Sequence, residues 1–182
     1  MLQWSAHMLP IETPRLLIRV LTREDISAGI ALWTDAGVTR HMGGPRDTAI
    51  LQRVYEEELS RPEPPRYSLW PIVERKTGRV IGECGLLQKD VEGRPEIELV
   101  YLLVPDVWGR GYATEAAAAM RDAAFAAGIT RLIALIDPGN PASAAVARKI
   151  GMRLEREVVR PGGTIRQVYA LEAGQGNVAG TS

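Results

Sequence analysis

The reading of the chain turns on "VPDVWGRGYATEAAAAM", residues 104–120. An apolar, strand-like run from Ile97 to Val104 stops at Pro105, and an alanine-dense helical pattern follows soon after. Between them stand two glycines around one arginine, Gly109-Arg110-Gly111. A helix that starts at the end of a strand presents unpaired N–H groups and the positive end of its macrodipole there, which makes a ready anion site. Glycine lets the backbone curl into an N–H-lined cup with no Cβ in the way of a phosphate. A bare G-x-G also serves a tight turn, but the strand–loop–helix setting is best explained as a diphosphate cradle.

Two nucleotide motifs fail against this loop. The P-loop requires a Lys after its glycines, and none follows Gly111. The dinucleotide fingerprint needs a residue as small as Gly where Thr114 stands. Asp137 is not badly placed for that fingerprint's acidic residue, but the three antiparallel strands read before the loop do not belong in such a fold.

Outward from the loop, the order reads β-α-α-β-β-β-α-β-α-β-β. "RLLIRVL" (15–21) is strand-like, and "TREDISAGIALW" starts a helix with Thr22 as N-cap and Asp25 three residues on. "GVTRHMGGP" reads as a loop; Asp47 or Thr48 caps a second helix, which the prolines of "SRPEPPR" end. "YSLWPIVER", "VIGECGLLQ" and "PEIELVYLLV" are joined by connections too short for crossovers, hence an antiparallel meander. A helix over 113–127 ends at Gly128, and "RLIALI" is the strand after it. That β-α-β unit makes the strands on either side of the helix parallel neighbours. Asn140 and Pro141 open a last helix that Gly151 closes, and a hairpin follows. This is an α/β chain: one mixed, mostly antiparallel sheet with helices on both faces. Residues 1–10 read as an extension, 11–172 as a single domain and 173–182 as a disordered tail.

Bulk properties narrow the function. The 22 basic and 22 acidic residues balance, so no global field points to nucleic acid or an acidic membrane. No apolar run approaches the roughly 20 residues that span a bilayer, and the N-terminus lacks a signal-peptide pattern; a cytoplasmic location is expected. The single cysteine, Cys84, excludes an intramolecular disulfide and a Cys-based zinc site, and its strand-like neighbours mark a buried thiol. His7 and His41 are isolated, so no metal is expected.

"WGRGYATEA" closely resembles the acetyl-CoA-binding loop of the GNAT acetyltransferase superfamily, most of all the branch that includes bacterial ribosomal-protein N-terminal acetyltransferases. The pattern Gln/Arg-x-x-Gly-x-Gly/Ala falls on residues 108–113, with Trp108 in place of Gln/Arg. "TPRLLIRVLTREDISAGIALW", "VIGECGLL", "EIELVYLLVPDVWGRGYATEA" and "DPGNPASAAVARKIGMRLE" follow in family order. The resemblance implies a sheet splayed between two parallel strands, with acetyl-CoA in the opening. Its pantetheine would run along Leu102, Leu103 and Val104, and its pyrophosphate would take N–H groups from Gly109, Arg110, Gly111, Tyr112, Ala113 and Thr114. The Arg110 side chain could meet phosphate or solvent. Asn140 and Ser143 match positions that contact the pantetheine arm and thioester; Asn140 suits a helix cap as well.

The implied reaction is attack of a primary amine on the thioester, the acceptor being a protein N-terminal residue or a small amine. Glu98 matches a Glu found in many relatives and is the expected base, with Glu96, on the same strand face, as fallback. A backbone N–H near Leu103 would serve the oxyanion. The superfamily's general-acid Tyr has no counterpart between Asn140 and Gly151, leaving Ser143 or water; Tyr101 and Tyr112 read as packing or loop residues. Trp33, His41 and the acidic run Glu56 to Glu58 are candidates for meeting a cationic acceptor. A non-catalytic acyl-CoA-binding or regulatory domain is the alternative on the same fold, and the assembly is expected to be a monomer or a homodimer formed through a sheet edge.

Overall fold

A computed structural model of the chain describes residues 8–174. The expected tail lies outside the described residues beyond Gly174, as do His7 and most of the expected extension. Strands β1 (Ile11–Glu12) and β2 (Leu16–Ile18) precede helices α1 (Ile26–Thr34), α2 (Ala36–Thr39) and α3 (Thr48–Leu59). The meander is β3 (Leu69–Glu74), β4 (Val80–Val91) and β5 (Arg94–Leu103). Helix α4 (Tyr112–Ala126), β6 (Arg131–Ile136), α5 (Pro141–Lys149), β7 (Arg153–Val159) and β8 (Ile165–Glu172) complete the order. The sheet runs β1-β2-β3-β4-β5-β6-β8-β7, and β5–β6 is its parallel pair.

Local chemistry sets several of these boundaries. The Asp25 carboxylate accepts from the Thr22 N–H (2.8 Å) and hydroxyl and from both terminal nitrogens of Arg19; the expected first helix opens there as a 3-10 turn, Arg23–Asp25. Asp47 caps α3 by accepting from the Ile50 N–H at 2.9 Å. The stretch read as a loop after Trp33 contains the extra turn α2, because Asp35 accepts from the Val38 N–H at 2.9 Å and holds one helical turn.

Alternation along β5 divides its side chains between two faces. Leu99, Tyr101 and Leu103 face the main core with α4 and α5, through Ala116, Met120, Ala144 and Ile150. Val100 and Leu102 face Leu32 of α1 together with Val38 and Met42. The sheet is therefore covered on one side by α4–α5 and on the other by α1–α3.

The functional feature is where the sheet fails to close. β4 and β5 pair continuously from Gly82↔Leu103 to Val91↔Arg94, whereas β5 and β6 share the single register pair Glu98↔Ile133. Beyond Glu98 the two parallel strands part.

Candidate active site

The opening between β5 and β6 is a cleft of about 480 Å³, continued on one side by the glycine loop and the first turn of α4, on the other by α2 and the loop after it. Val104 N–H donates to the Ile81 carbonyl at 2.9 Å, which sets the phase of the β4–β5 ladder. Even-numbered residues near the end of β5 bond to β4, so the N–H and C=O of Tyr101 and Leu103 point to the open side. Trp108 Nε1 donates to the Leu103 carbonyl at 2.8 Å, so the residue that departs from the family pattern folds the loop back onto the strand end.

Gly109 and Gly111 adopt φ of +74° and +79°, the left-handed region that side chains disfavour. Gly111 is the N-cap of α4, and the first bond into that helix runs from Glu115 N–H to the Gly111 carbonyl. Among the described residues, no partner takes the backbone N–H groups from Gly109 to Thr114. A Cβ added at Gly109 would meet nothing within 4 Å on the protein side. This row of unpaired donors at a helix N-terminus, open to the outside, fits a diphosphate.

A clasp that local sequence patterns could not disclose holds the loop. Arg15 donates through Nε to Glu115 (2.6 Å) and through Nη1 to the Arg110 carbonyl (2.9 Å), and its guanidinium lies 4.3 Å from the centre of the Tyr112 ring. Thr13 and the Arg15 N–H also donate to the Glu115 carboxylate, while the Tyr112 hydroxyl donates to Glu74. Burial opposes ionisation of Glu115, but these hydrogen bonds win and hold its carboxyl below the usual range.

Glu98 sits where the strands part. Its side chain is 12% exposed, its Oε1 accepts from the Leu135 N–H at 3.4 Å, and Lys89 Nζ lies 3.9 Å from Oε2. Burial pushes its carboxyl above the ordinary carboxylate range, against the opposing pull of Lys89, the Leu135 N–H, Arg160 and Arg166. A buried carboxylate with a raised pKa at a strand opening is equipped to take a proton near neutral pH. Asn140 accepts from the Ser143 N–H at 3.1 Å and thereby caps α5. The Tyr101 hydroxyl lies 2.9 Å from the Ser143 carbonyl and 3.1 Å from its Oγ.

The cleft thus brings together Glu98, Leu102, Leu103, Gly109, Gly111, Tyr112, Ala113, Thr114, Asn140, Ser143 and His41. The structure bears on four expectations. Of the two readings open for the Arg110 side chain it takes the exposed one, and its carbonyl reaches the clasp. Of the three residues expected along the pantetheine, Leu102 and Leu103 line the opening, whereas Val104 stands outside it. Glu96 is committed to Arg131, which also binds Glu155 and Glu172, and is not free to act as a fallback base.

The fourth is the acidic acceptor wall. Trp33 turns inward, donating from Nε1 to the buried Glu83 at 2.9 Å, and Tyr55 donates to the same carboxylate at 2.7 Å. Glu58 accepts from Ser68 and Glu56 from Gln52, and none of the three glutamates lines the cleft. At the mouth stands another group instead: Asp137 between His41 (3.8 Å) and Arg166 (3.3 Å), with Arg40 Nε donating to His41.

Residues 15–153 match the family model described as the acetyltransferase (GNAT) domain. The protein YkkB of Bacillus subtilis (strain 168) is 31% identical over 80% of this chain and 86% of its own length. YoaA of the same organism, named as an N-acetyltransferase, is 30% identical over 81% of this chain and 85% of its own. The crystal structure of an acetyltransferase from Agrobacterium tumefaciens is 31% identical, superposes with a TM-score of 0.73 and covers 88% of this chain and 92% of that one. The chain belongs to the GNAT acetyltransferase family and is an N-acetyltransferase. Among the described residues, an eight-stranded, mostly antiparallel sheet with one parallel pair is the fold expected from the resemblance.

Proposed function

We propose that this chain moves the acetyl group of acetyl-CoA to a primary amine, a protein N-terminal residue or a small amine, by direct attack on the thioester. The observation that carries the reading is the Glu98 carboxyl at the parting of β5 and β6, one end of a cleft whose other end is the unpaired N–H row from Gly109 to Thr114. Acetyl-CoA would supply an activated acyl group on a good leaving thiol. The N–H groups from Gly109 to Thr114 hold the diphosphate, and Asn140 and Ser143 flank the pantetheine arm. Leu103 turns its N–H to the open side, where it donates to the carbonyl oxygen as negative charge develops there. Glu98 takes the proton of the attacking amine.

The resemblance to the ribosomal-protein branch favours a peptide N-terminus as acceptor and a cytoplasmic enzyme, monomeric or homodimeric. The decisive measurement is a calorimetric titration with acetyl-CoA, with CoA and NADH as comparisons. Micromolar binding of the CoA species, about −8 kcal/mol, with thiol release on adding amines, is the expected result. Failure of both CoA species to bind would reduce the glycines to a turn and end the reading.

A further inference from the structure

The sheet face turned away from the α4–α5 core carries a set of charges beside the cleft. Lys89, Glu98, Asp137 and Arg166 each stand two residues from an apolar side chain packed on that face, Leu87, Val100, Leu135 and Val168 in turn. Alternation therefore brings all four to the same side.

Most of these charges answer one another. Lys89 Nζ lies 3.9 Å from the Glu98 carboxylate, and Asp137 meets Arg166, His41 and the Gly139 N–H (2.7 Å). Arg160 is drawn to the β4–β5 hairpin, where it donates to the Asp90 carbonyl at 2.6 Å. One cation is left over at the mouth. Arg40 lines the cleft, is exposed, and donates through Nε to His41 Nε2 at 3.3 Å. Among the described residues, no carboxylate answers its guanidinium. Arg46, further along the same loop, donates to the Met42 carbonyl and lies against the Trp33 ring, so it too meets no carboxylate.

The run from Arg166 through Asp137 and His41 to Arg40 thus holds a guanidinium at the cleft mouth with its Nη groups unengaged. Asp137 stands two residues beyond Leu135, whose N–H holds Glu98; the mouth is therefore roughly 7 Å along the strand from the base.

Resting on the acetyl-transfer reading above, we propose that the acceptor bears a carboxylate a short distance from its amine, and that Arg40 selects it through a forked hydrogen bond from its Nη groups. The amine meets Glu98 while the carboxylate stays at the mouth. A polyamine is opposed by the same arrangement, because its second ammonium would face Arg40 while Glu56 to Glu58 point elsewhere. The α-carboxylate of a free amino acid and the side chain of an acidic N-terminal residue both supply the required chemistry.

The test follows thiol release with three acceptors of nearly one shape, and with spermidine beside them. Glutamine amide has no carboxylate, glutamine carries one on the α-carbon, and glutamic acid α-amide carries one on the side chain. The kcat/KM ratios between acceptors are compared for wild type, Arg40→Gln and Arg40→Lys, so that differences in amine basicity cancel between proteins. The preference of wild type for at least one acid over glutamine amide should fall about tenfold in Arg40→Gln, the scale of one hydrogen bond between charged groups. Arg40→Lys should keep part of it, since it retains the charge but not the fork. The acid that loses most identifies the source of the carboxylate. Ratios unchanged by Arg40→Gln, or a wild type that acetylates spermidine and neither acid, overturn the carboxylate subsite and leave acetyl transfer standing. Where turnover is too slow to follow, calorimetry of the same acceptors on the CoA-loaded proteins reads the same ratios. If wild type binds no CoA species, the acetyl-transfer reading itself fails and the subsite falls with it.

Discussion

Replacing Glu98 by Gln isolates its proton-accepting capacity. The amide is nearly isosteric, fits the 12%-exposed position and can still accept the Leu135 N–H. What it loses is the negative charge and the basic oxygen. Among the described residues no other carboxylate stands ready in the cleft: Asp137 is engaged by Gly139, Arg166 and His41, and Glu96 by Arg131. Water would have to take the proton, so turnover should fall at least about tenfold, or about 1.4 kcal/mol of barrier, within the range for lost general bases. Acetyl-CoA affinity should barely change, because the N–H row from Gly109 to Thr114 lies at the other end of the cleft. The wild-type rate should also rise with pH through the Glu98 ionisation, which burial moves upward from the ordinary carboxylate range. Steady-state thiol release between pH 5 and 9, beside calorimetry with acetyl-CoA, reads both effects. A Gln variant with unaltered turnover and the same acid limb would remove Glu98 as base.

Three further predictions concern the frame around this site. Gly111→Ala places a Cβ on a residue at φ +79°, costing about 1 kcal/mol; tilting of the cradle N–H groups should weaken acetyl-CoA binding about fivefold in a titration. Glu115→Gln dismantles the clasp, and its sign in pH follows from a lowered carboxyl. The wild-type contribution is present above the unfolded value near 4.5 and lost as pH falls through the folded one, so the variant should lose thermal stability at pH 7 but converge on wild type in acid. Glu83 has the opposite sign, because burial raises its carboxyl despite the hydrogen bonds from Tyr55 and Trp33. Its stabilisation is complete below about pH 4.5 and lost as pH rises through the raised value, so wild type should lose more melting temperature between pH 5 and 8 than Glu83→Gln. Equal slopes for the two proteins would contradict that assignment.

What the sequence disclosed and what it withheld separate along a physical line. The Asp47 and Asn140 caps were legible because each acts within four positions of the group it serves, and the glycine loop and the meander because short connections between neighbouring elements betray them. Glu98 was singled out through the resemblance, as the match to a Glu found in many relatives, and the structure places it where β5 and β6 part. Arg15 and Glu115 stand 100 positions apart, and only the docking of β2 beside the start of α4 makes them partners. Trp33 and the run from Glu56 to Glu58 misled for a related reason. Polar groups on helices read as solvent- or ligand-facing, whereas Glu83, buried beneath α1 and α3, draws the Trp33 and Tyr55 donors inward. Tyr101 shows the same limit inside the site itself. Its neighbours in sequence are apolar and mark it as packing, which half of it is. Its other half, the hydroxyl, takes its meaning from Ser143, a residue 42 positions on that reaches it because β5 and β6 part beyond Glu98 and leave α5 to close the gap. The gap between β5 and β6 thus gathers residues that lie far apart in the chain along one cleft, which is why single motifs outlined the glycine loop and only the fold showed what stands opposite it.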